Sequence, residues 1–457
     1  MNIAVTIIDS IPLPGGFSTI AIDVPERGAH EVVDIGFDTL FAVFDVPDAI
    51  SLDLVLVAAI AYVIDKGVAR RYADDAWTRN FQVELPVSDP ERWAAARAPL
   101  ERALRFLTGD EWTITYRRRT ERLYTPPRSC RGARRASPAT AVSLFSGGLD
   151  SLIGTLDRLT RPEERVLLVG HHDAAGPSGD QERVHRVIAG VPSYQGRTQL
   201  GRVRVRPLPP RSARAGQTIA PGLREHTLRS RSFVFLALGL YAARAIGPDV
   251  PLLVPENGFI AINIPLTPSR IGTCSTRTTH PLFLDRVRAV VEAIGVTNPI
   301  DNPLSLKTKG ETVTDCADQA TLQRSAPETV SCAHASRRGT WLRREARNCG
   351  YCVPCLIRRA SLHRAGWDDG HQYGRDICQG ELDLDATVAS DVRAVLDCLS
   401  SVDASAEIED RVLDAGELPP PHDVGVYTAM VGRGLNELRA LVRDKGDLNL
   451  RRRAGLP

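Results

Sequence analysis

Six consecutive residues, 146–151, have the composition of a phosphate-binding loop. They read Ser-Gly-Gly-Leu-Asp-Ser between a short apolar segment and a segment of helical character. Gly147 and Gly148 let the backbone approach an anion and present N–H groups, and the following helix adds its positive dipole end. No Gly-Lys-Ser/Thr follows, so the loop is not of the Walker A type. The alternative is a plain strand-to-helix turn in which Asp and Ser act as caps. The candidate phosphate-binding residues are Ser146, Gly147, Gly148, Leu149, Asp150 and Ser151.

Four of the nine cysteines have metal-ligand spacing. The segment 349–355 reads C-x2-C-x2-C, and a further cysteine precedes it by seventeen positions. Two-residue spacers let successive thiolates converge on one ion, and four sulfurs make a closed, structural site for which zinc is the default. An iron–sulfur cluster is the rival, and His334 could replace the first cysteine. The candidate ligands are Cys332, Cys349, Cys352 and Cys355.

Lysine is rare in this chain, and two of the four lysines stand in one three-residue stretch. Lys307 and Lys309 occur in a sequence that otherwise uses arginine for positive charge. A compact ammonium fits a phosphate in a tight space better than a forked guanidinium does. We therefore predict that one of the two lysines contacts a phosphate, the alternative being a solvent-facing loop charge. The candidate catalytic residues are Asp150, Ser151, Lys307 and Lys309.

Polar residues also gather after the fourth strand of the predicted sheet. Open parallel sheets bind ligands beyond the carboxyl ends of their strands, and a guanidinium such as that of Arg277 can pair with a carboxylate. The alternative is a solvated loop capped by Ser and Thr. The candidate substrate-binding residues are Glu256, Asn257, Ser275, Thr276, Arg277, Thr278, Thr279 and His280.

The elements that must position these residues alternate between strand and helix. We predict strands at 141–145, 166–170, 203–207 and 252–254, and helices at 149–159, 181–189 and 230–246. Such alternation implies a parallel sheet with helices on both faces. The sequence therefore predicts an α/β core.

The remainder of the chain suggests further segments around that core. Residues 1–125 are predicted to form a separate α+β module, with strands at 4–8, 17–23, 81–87 and 112–116 and helices at 52–66 and 90–107. A basic, proline-containing linker at 126–139 leads into the core domain, 140–378, which includes the cysteine site. The last segment, 379–457, is a predicted helical extension with helices at 386–400 and 424–445.

Composition places the protein among soluble globular chains. Of its 457 residues 43% are hydrophobic and 25% charged, and the net charge is +2. The N-terminus has no secretory signal, and the longest apolar stretch, 54–64, is too short to span a bilayer, so we expect a cytoplasmic protein that does not enter membranes. Arginines between 202 and 214 leave tRNA binding open, but aromatic residues are only 5% of the chain and nucleic acid is not favoured.

The phosphate loop resembles the signature of the PP-loop ATP pyrophosphatases. With C-x2-C-x2-C and Arg358 far downstream, the pattern from about 140 to 370 resembles the QueC family, the 7-cyano-7-deazaguanine synthases. Gln181, Arg231 followed by Ser232, and the segment 307–311 belong to the same resemblance. It implies a PP-loop core, ATP, Mg²⁺ and Zn²⁺ as cofactors, and adenylation of a 7-deazaguanine-type carboxylate with release of pyrophosphate. Asp150 would hold the magnesium, and His171 and Arg231 would bind ATP.

The chain also departs from the biosynthetic enzymes of that family. It is about twice as long, and the segments 255–259, 266–268 and 275–281 are more similar to the QueC-like QatC proteins of the bacterial Qat anti-phage system. That similarity implies transfer of the activated acid to an amine of a partner protein from the same defence operon. The alternatives are QueC-type nitrile or amide synthesis with ammonia, a tRNA-modifying enzyme, and a non-catalytic scaffold. If the N-terminal module docks the partner, deleting residues 1–120 should spare adenylation and stop transfer.

Overall fold

The structure is a computed structural model. It describes residues 2–7, 18–24, 29–36, 39–40, 44, 48–120, 139–173, 175–212, 224–225, 227–271, 277–402 and 405–457. Residues 126–138 of the predicted linker, and the candidate substrate-binding residues Ser275 and Thr276, lie outside these ranges.

Ten strands of the described chain form one mixed sheet in the order β10-β9-β6-β7-β8-β3-β2-β1-β4-β5. Pairing is parallel from β10 to β8 and from β1 through β4 to β5, and antiparallel from β8 through β3 and β2 to β1. The strands are β1 Asn2–Ile7, β2 Ser18–Val24, β3 Ala29–Ile35, β4 Asn80–Val87, β5 Glu111–Arg118, β6 Ala141–Leu144, β7 Val166–His172, β8 Thr198–Ser212, β9 Leu252–Leu253 and β10 Ile300–Asp301.

Helices cover both faces of the parallel half of the sheet, as predicted. Successive residues of β7 point to opposite sides, which is the two-residue period of a strand. Leu168 packs with the helices α3 and α4, whereas Leu167 and Val169 pack on the opposite face with α5. The first helices in chain order are α1 Ala49–Gly67, α2 Pro90–Thr108, α3 Leu149–Leu159, α4 Ala175–Ala189, α5 Arg231–Ile246, α6 Gly258–Ile262 and α7 Pro281–Ala293.

The N-terminal segment, which the sequence predicts to be a separate module, shares its sheet and part of its hydrophobic core with the parallel strands. Strand β3, which the sequence did not predict, pairs antiparallel with β8, so one sheet runs through both segments. Helix α1 is buried almost throughout and packs on α5, and its apolar residues share one core with β6 and β7. A helix with apolar residues on all sides must be buried on all sides, and the N-terminal strands alone cannot bury α1.

The C-terminal helices enclose the cysteine segment in a second core. The long helix α13 packs against α10, which begins directly after Cys352, and against α12. The predicted helix at 386–400 begins later, at Ser390, after a 3-10 turn, and the one at 424–445 has the predicted bounds. The remaining helices are α8 Lys309–Asp315, α9 Gln319–Ser325, α10 Val353–Arg364, α11 Ser390–Ser401, α12 Ser405–Ala415, α13 Val424–Lys445 and α14 Leu448–Arg453.

Membrane-spanning character is absent from the helices that the structure describes. None of them combines the length and the apolar composition needed to cross a bilayer.

Candidate functional site

The loop 146–151 joins the end of β6 to the start of α3, as the sequence indicated. Gly147 has a φ of +79°, and a Cβ there would lie 3.1 Å from the backbone nitrogen of Gln181. Only glycine fits both the left-handed backbone and the close approach. The Gly148 N–H donates to Ser146 Oγ at 3.2 Å, and the Ser151 hydroxyl donates to the Gly148 carbonyl at 2.9 Å. The loop is therefore a compact turn that opens directly onto a helix N-terminus.

A buried ionic cluster surrounds Asp150 on the first turn of α3. Lys309 Nζ lies 2.6 Å from Asp150 Oδ2, and Asn257 Nδ2 donates to the same oxygen at 2.9 Å. The two charged side chains are only 2% and 7% exposed. Asp150 Oδ1 is also buried and, apart from the adjacent Glu256 carboxyl, has no hydrogen-bond partner in the part of the chain that the structure describes. That oxygen is a hard ligand suited to Mg²⁺.

Local capping orients the two partners of Asp150. Asn257 caps the short helix α6, because its Oδ1 accepts the Ile260 N–H at 3.1 Å, and this leaves its amide nitrogen for Asp150. Thr308 caps α8 in a reciprocal capping box with Glu311, which makes Lys309 the first helical residue. The capping sequence therefore decides which of the two neighbouring lysines enters the interior.

Glu256 brings a second carboxyl group to Asp150. Burial and the charge of Asp150 raise the pKa of Glu256 well above its ordinary value. Burial opposes ionisation of Asp150 as well, but the ammonium of Lys309 and the hydrogen bonds to the carboxylate keep its pKa below the ordinary value. Because two adjacent carboxylates do not both ionise readily, the environment favours the negative charge on Asp150 over a charge on Glu256.

A cavity of about 260 Å³ lies beside the loop at the carboxyl ends of the parallel strands. It brings together seven of the predicted site residues with an apolar wall of Phe235, Leu236 and Val254. The seven are Ser146, Ser151, His171, Arg231, Glu256, Thr278 and Thr279. Leu149, the first residue of α3, is fully buried in the core and does not line the cavity.

His171 fixes the direction of Arg231 in this cavity. Burial lowers the pKa of His171 to about 3, so the ring is neutral near pH 7. Its Nε2 lies 2.9 Å from the Val205 carbonyl, which requires the proton on that nitrogen. The free Nδ1 then accepts a hydrogen bond from Arg231 Nε at 3.2 Å. His171 therefore holds the guanidinium in place and is not itself a proton donor to a ligand.

Helix α1 of the N-terminal segment also supports this cavity. The Tyr62 hydroxyl donates to Asp173 at 3.2 Å, and Ser230, directly before Arg231, donates its hydroxyl to Asp65 at 2.6 Å. Asp65 is fully buried and is paired with Arg79. The sequence interpretation missed these residues, although two carboxylates and a tyrosine in a largely apolar helix were a signal for them.

Three predicted site residues have structural contacts elsewhere. Lys307 pairs with Asp315 at 3.0 Å near the surface, because the capping residue Thr308 turns the chain between the two lysines. Arg277 stacks on Phe106 at 4.5 Å and donates from Nη1 to its carbonyl, which holds the guanidinium against the end of α2.

The third is His280, a fully buried helix cap. Its Nδ1 accepts the Leu282 N–H at the start of α7, and burial lowers its pKa to about 3. The ring packs on Phe106 at a centroid distance of 5.2 Å. These contacts give His280 a capping and packing role in the structure.

The four predicted cysteines form a group that can hold a metal ion. Their sulfur atoms all lie within 4.8 Å of one another, and Cys349 Sγ is 3.7 Å from Cys355 Sγ. A tetrahedral zinc ion with Zn–S bonds of about 2.3 Å would separate its sulfurs by about 3.8 Å. The backbone N–H of Cys352 points at Cys349 Sγ, and that of His334 points at Cys332 Sγ, each at 3.3 Å. His334 thus contributes its backbone, and its ring packs on Tyr351.

Comparison of the chain with protein-family models, with curated proteins and with solved structures finds no match in any of the three.

Proposed function

We propose that this protein binds Mg–ATP at the loop 146–151 and transfers AMP to the carboxylate of a 7-deazaguanine-type acid, with release of pyrophosphate. The observation that carries the proposal is the buried Asp150–Lys309–Asn257 cluster beside a glycine turn at a helix N-terminus. A buried ion pair costs desolvation energy and is weak evidence for stability, so its place next to an anion-binding turn favours a functional role.

Each group of the site has a defined part in the proposed reaction. The N–H groups at the start of α3 bind phosphate oxygens, and the Ser146 and Ser151 hydroxyls add donors. Asp150 Oδ1 would hold the magnesium ion, which supplies charge neutralisation on the phosphate chain. Lys309 keeps Asp150 ionised and adds a positive charge close to the leaving pyrophosphate. Arg231, fixed by His171, binds an anionic oxygen of the nucleotide or of the acid.

The bond changes balance as an acyl adenylation. A carboxylate oxygen of the acid attacks the α-phosphorus, and the bond from that phosphorus to the bridging oxygen breaks, so that pyrophosphate leaves with the electron pair. An amine then attacks the activated carbonyl, loses a proton and displaces AMP. We propose that the amine belongs to a partner protein of a defence operon, as the sequence resemblance implies. A docked partner would hold its amine beside the adenylate, so that a high concentration of free amine would not be needed.

We further propose zinc as the ion at the four cysteines and the cytoplasm as the location of the protein. Four thiolates leave no open coordination position, so the ion has a structural part. Free thiolates of this kind persist in a reducing compartment.

Binding of nucleotide gives a direct test of the proposed site. A non-hydrolysable ATP analogue should bind in the presence of Mg²⁺, and Asp150→Asn should weaken that binding and remove its magnesium dependence. The matched control is Asp157→Asn on the same helix, where the carboxylate accepts the Ala317 N–H instead of facing the loop. Magnesium-independent binding to the wild type, or equal effects of the two variants, would count against the proposal.

A further inference from the structure

The segment 330–332 lies between the phosphate loop and the cysteine cluster and touches both. The Val330 N–H donates to the Gly147 carbonyl at 3.0 Å. The Ser331 hydroxyl oxygen accepts the N–H of Leu149, the first residue of α3, at 3.4 Å. The next residue, Cys332, is one of the four metal-ligand cysteines. We name residues 330–332 the linking segment.

The linking segment is fixed from the side of the cysteines. The Ser331 N–H donates to Asn348 Oδ1 at 2.9 Å, and Asn348 Nδ2 donates to the Thr329 carbonyl at 3.1 Å. Arg358, which is 2% exposed, donates to the Thr329 hydroxyl at 2.6 Å. Asn348 precedes Cys349, and Arg358 lies one turn beyond Cys355, so the elements that carry the sulfur ligands also hold this segment.

The contact between Ser331 and α3 involves a backbone N–H at the helix N-terminus, where anions bind. The Leu149 N–H is one of the donors at the start of the helix that have no acceptor within the helix, and Ser331 supplies its acceptor. Because a hydroxyl both accepts and donates, Ser331 can keep its bond from Leu149 while its own proton points to a phosphate oxygen. Gly148 lies next to the linking segment, since a Cβ on it would make van der Waals contact with Ser331 Oγ at 3.5 Å and with the Val330 carbonyl at 3.4 Å.

We propose that the linking segment couples the four-cysteine metal site to nucleotide binding, with Ser331 as the positioning residue. The inference rests on the proposed assignment of the loop to ATP. Coupling between two binding sites is reciprocal, so a bound nucleotide must change the metal affinity of the cysteine site by the same factor as the metal changes nucleotide affinity. Because the linking segment includes Cys332, we expect the change to reach the sulfur ligands. The loss of one neutral hydrogen bond predicts about 2- to 10-fold weaker nucleotide binding.

The test uses the full chain loaded with Co²⁺, whose visible thiolate bands report the ligand geometry. Titration with a non-hydrolysable ATP analogue and Mg²⁺ should shift these bands in the wild type. Ser331→Ala should bind the analogue about 2- to 10-fold more weakly, with unchanged cobalt content and a smaller shift of the bands. Ser336→Ala, an exposed serine of the same region, is the matched control and should behave as the wild type.

The outcomes separate this inference from the proposed function. Wild-type affinity of Ser331→Ala, or cobalt bands of the wild type that do not respond to bound analogue, would overturn the coupling alone. Absence of analogue binding by the wild type would overturn the proposed function together with the coupling. Because the band shift is measured on the wild type, the test does not depend on the folding of a variant.

Discussion

The two neighbouring lysines permit a sharp test of the buried cluster, because they differ in environment and not in residue type. Lys309 lies 2.6 Å from Asp150, and the two side chains are 2% and 7% exposed. Lys307 lies 3.0 Å from Asp315, and those side chains are 42% and 49% exposed. Replacing each lysine by methionine removes the charge and keeps most of the side-chain volume.

The expected losses of stability differ widely. Lys309→Met leaves the buried Asp150 carboxylate without its cation, and breaking a buried pair in this way costs about 3–5 kcal/mol. The hydrogen bond from Asn257 remains and favours the lower end of that range. Lys307→Met removes an exposed pair, for which solvent screening reduces the loss to about 0–1 kcal/mol.

Urea unfolding of the two variants without nucleotide measures this difference, and its pH dependence identifies the cause. The pKa of Asp150 is lowered in the folded wild type, so the stabilisation is present above the unfolded pKa of about 3.9 and is lost as the pH falls through the folded pKa. In Lys309→Met the buried carboxylate favours its proton, so acidification relieves the penalty. The difference in the free energy of unfolding between the wild type and Lys309→Met should therefore become smaller towards low pH.

Two results would refute this reasoning about the cluster. One is a loss below about 1 kcal/mol for Lys309→Met, the value of a screened surface pair. The other is a difference in the free energy of unfolding between the wild type and Lys309→Met that does not change with pH. We also expect Lys309→Arg to lose nucleotide binding, because the larger guanidinium does not fit the space of the ammonium, whereas Lys307→Arg should retain it.

Other predictions concern the metal site and the N-terminal segment. Cys352→Ser should lose metal content and thermal stability together. The matched control is Cys398→Ser, which replaces a buried free cysteine outside the cluster and should keep its metal. Elemental analysis that shows full zinc content in Cys352→Ser would contradict the assigned ligands. Deletion of residues 1–120 should unfold the core and abolish nucleotide binding, because it removes β3 and α1 and the Asp65 contact to Ser230. Circular dichroism and analogue titration test this, and a folded truncation with normal affinity would restore the hypothesis of a separate docking module. Tyr62→Phe should weaken nucleotide binding with no change in metal content, since it removes the hydroxyl contacts to Asp173 and Lys66 and no contact near the cysteines.

The features of the site that depend on residues close together in the sequence were predictable. The glycine turn, the helix after it and the cysteine group with two-residue spacers are local patterns, and the structure has them at the expected positions. Asn257 and Lys309 were found as candidates for the same reason. The choice between Lys307 and Lys309 was not predictable by residue type, because it depends on the Thr308 cap.

Features that depend on residues far apart in the sequence were not predicted. The pairing of β3 with β8 joins residues about 170 positions apart, and no local pattern specifies that register. The contacts of Asp65 and Tyr62 near Arg231 come from α1, in a segment without any catalytic motif. Arg277 and His280 have residue types suited to ligand binding, but tertiary packing against Phe106 uses both of them.

The identity of the ATP products tests the central claim most directly. The chain is incubated with ATP labelled at the α-phosphate, Mg²⁺ and a 7-deazaguanine carboxylic acid, and the labelled products are separated. The account predicts AMP and an acid-dependent adenylate, with an equal amount of pyrophosphate and with no products from Asp150→Asn. ADP and inorganic phosphate as the main products would contradict it.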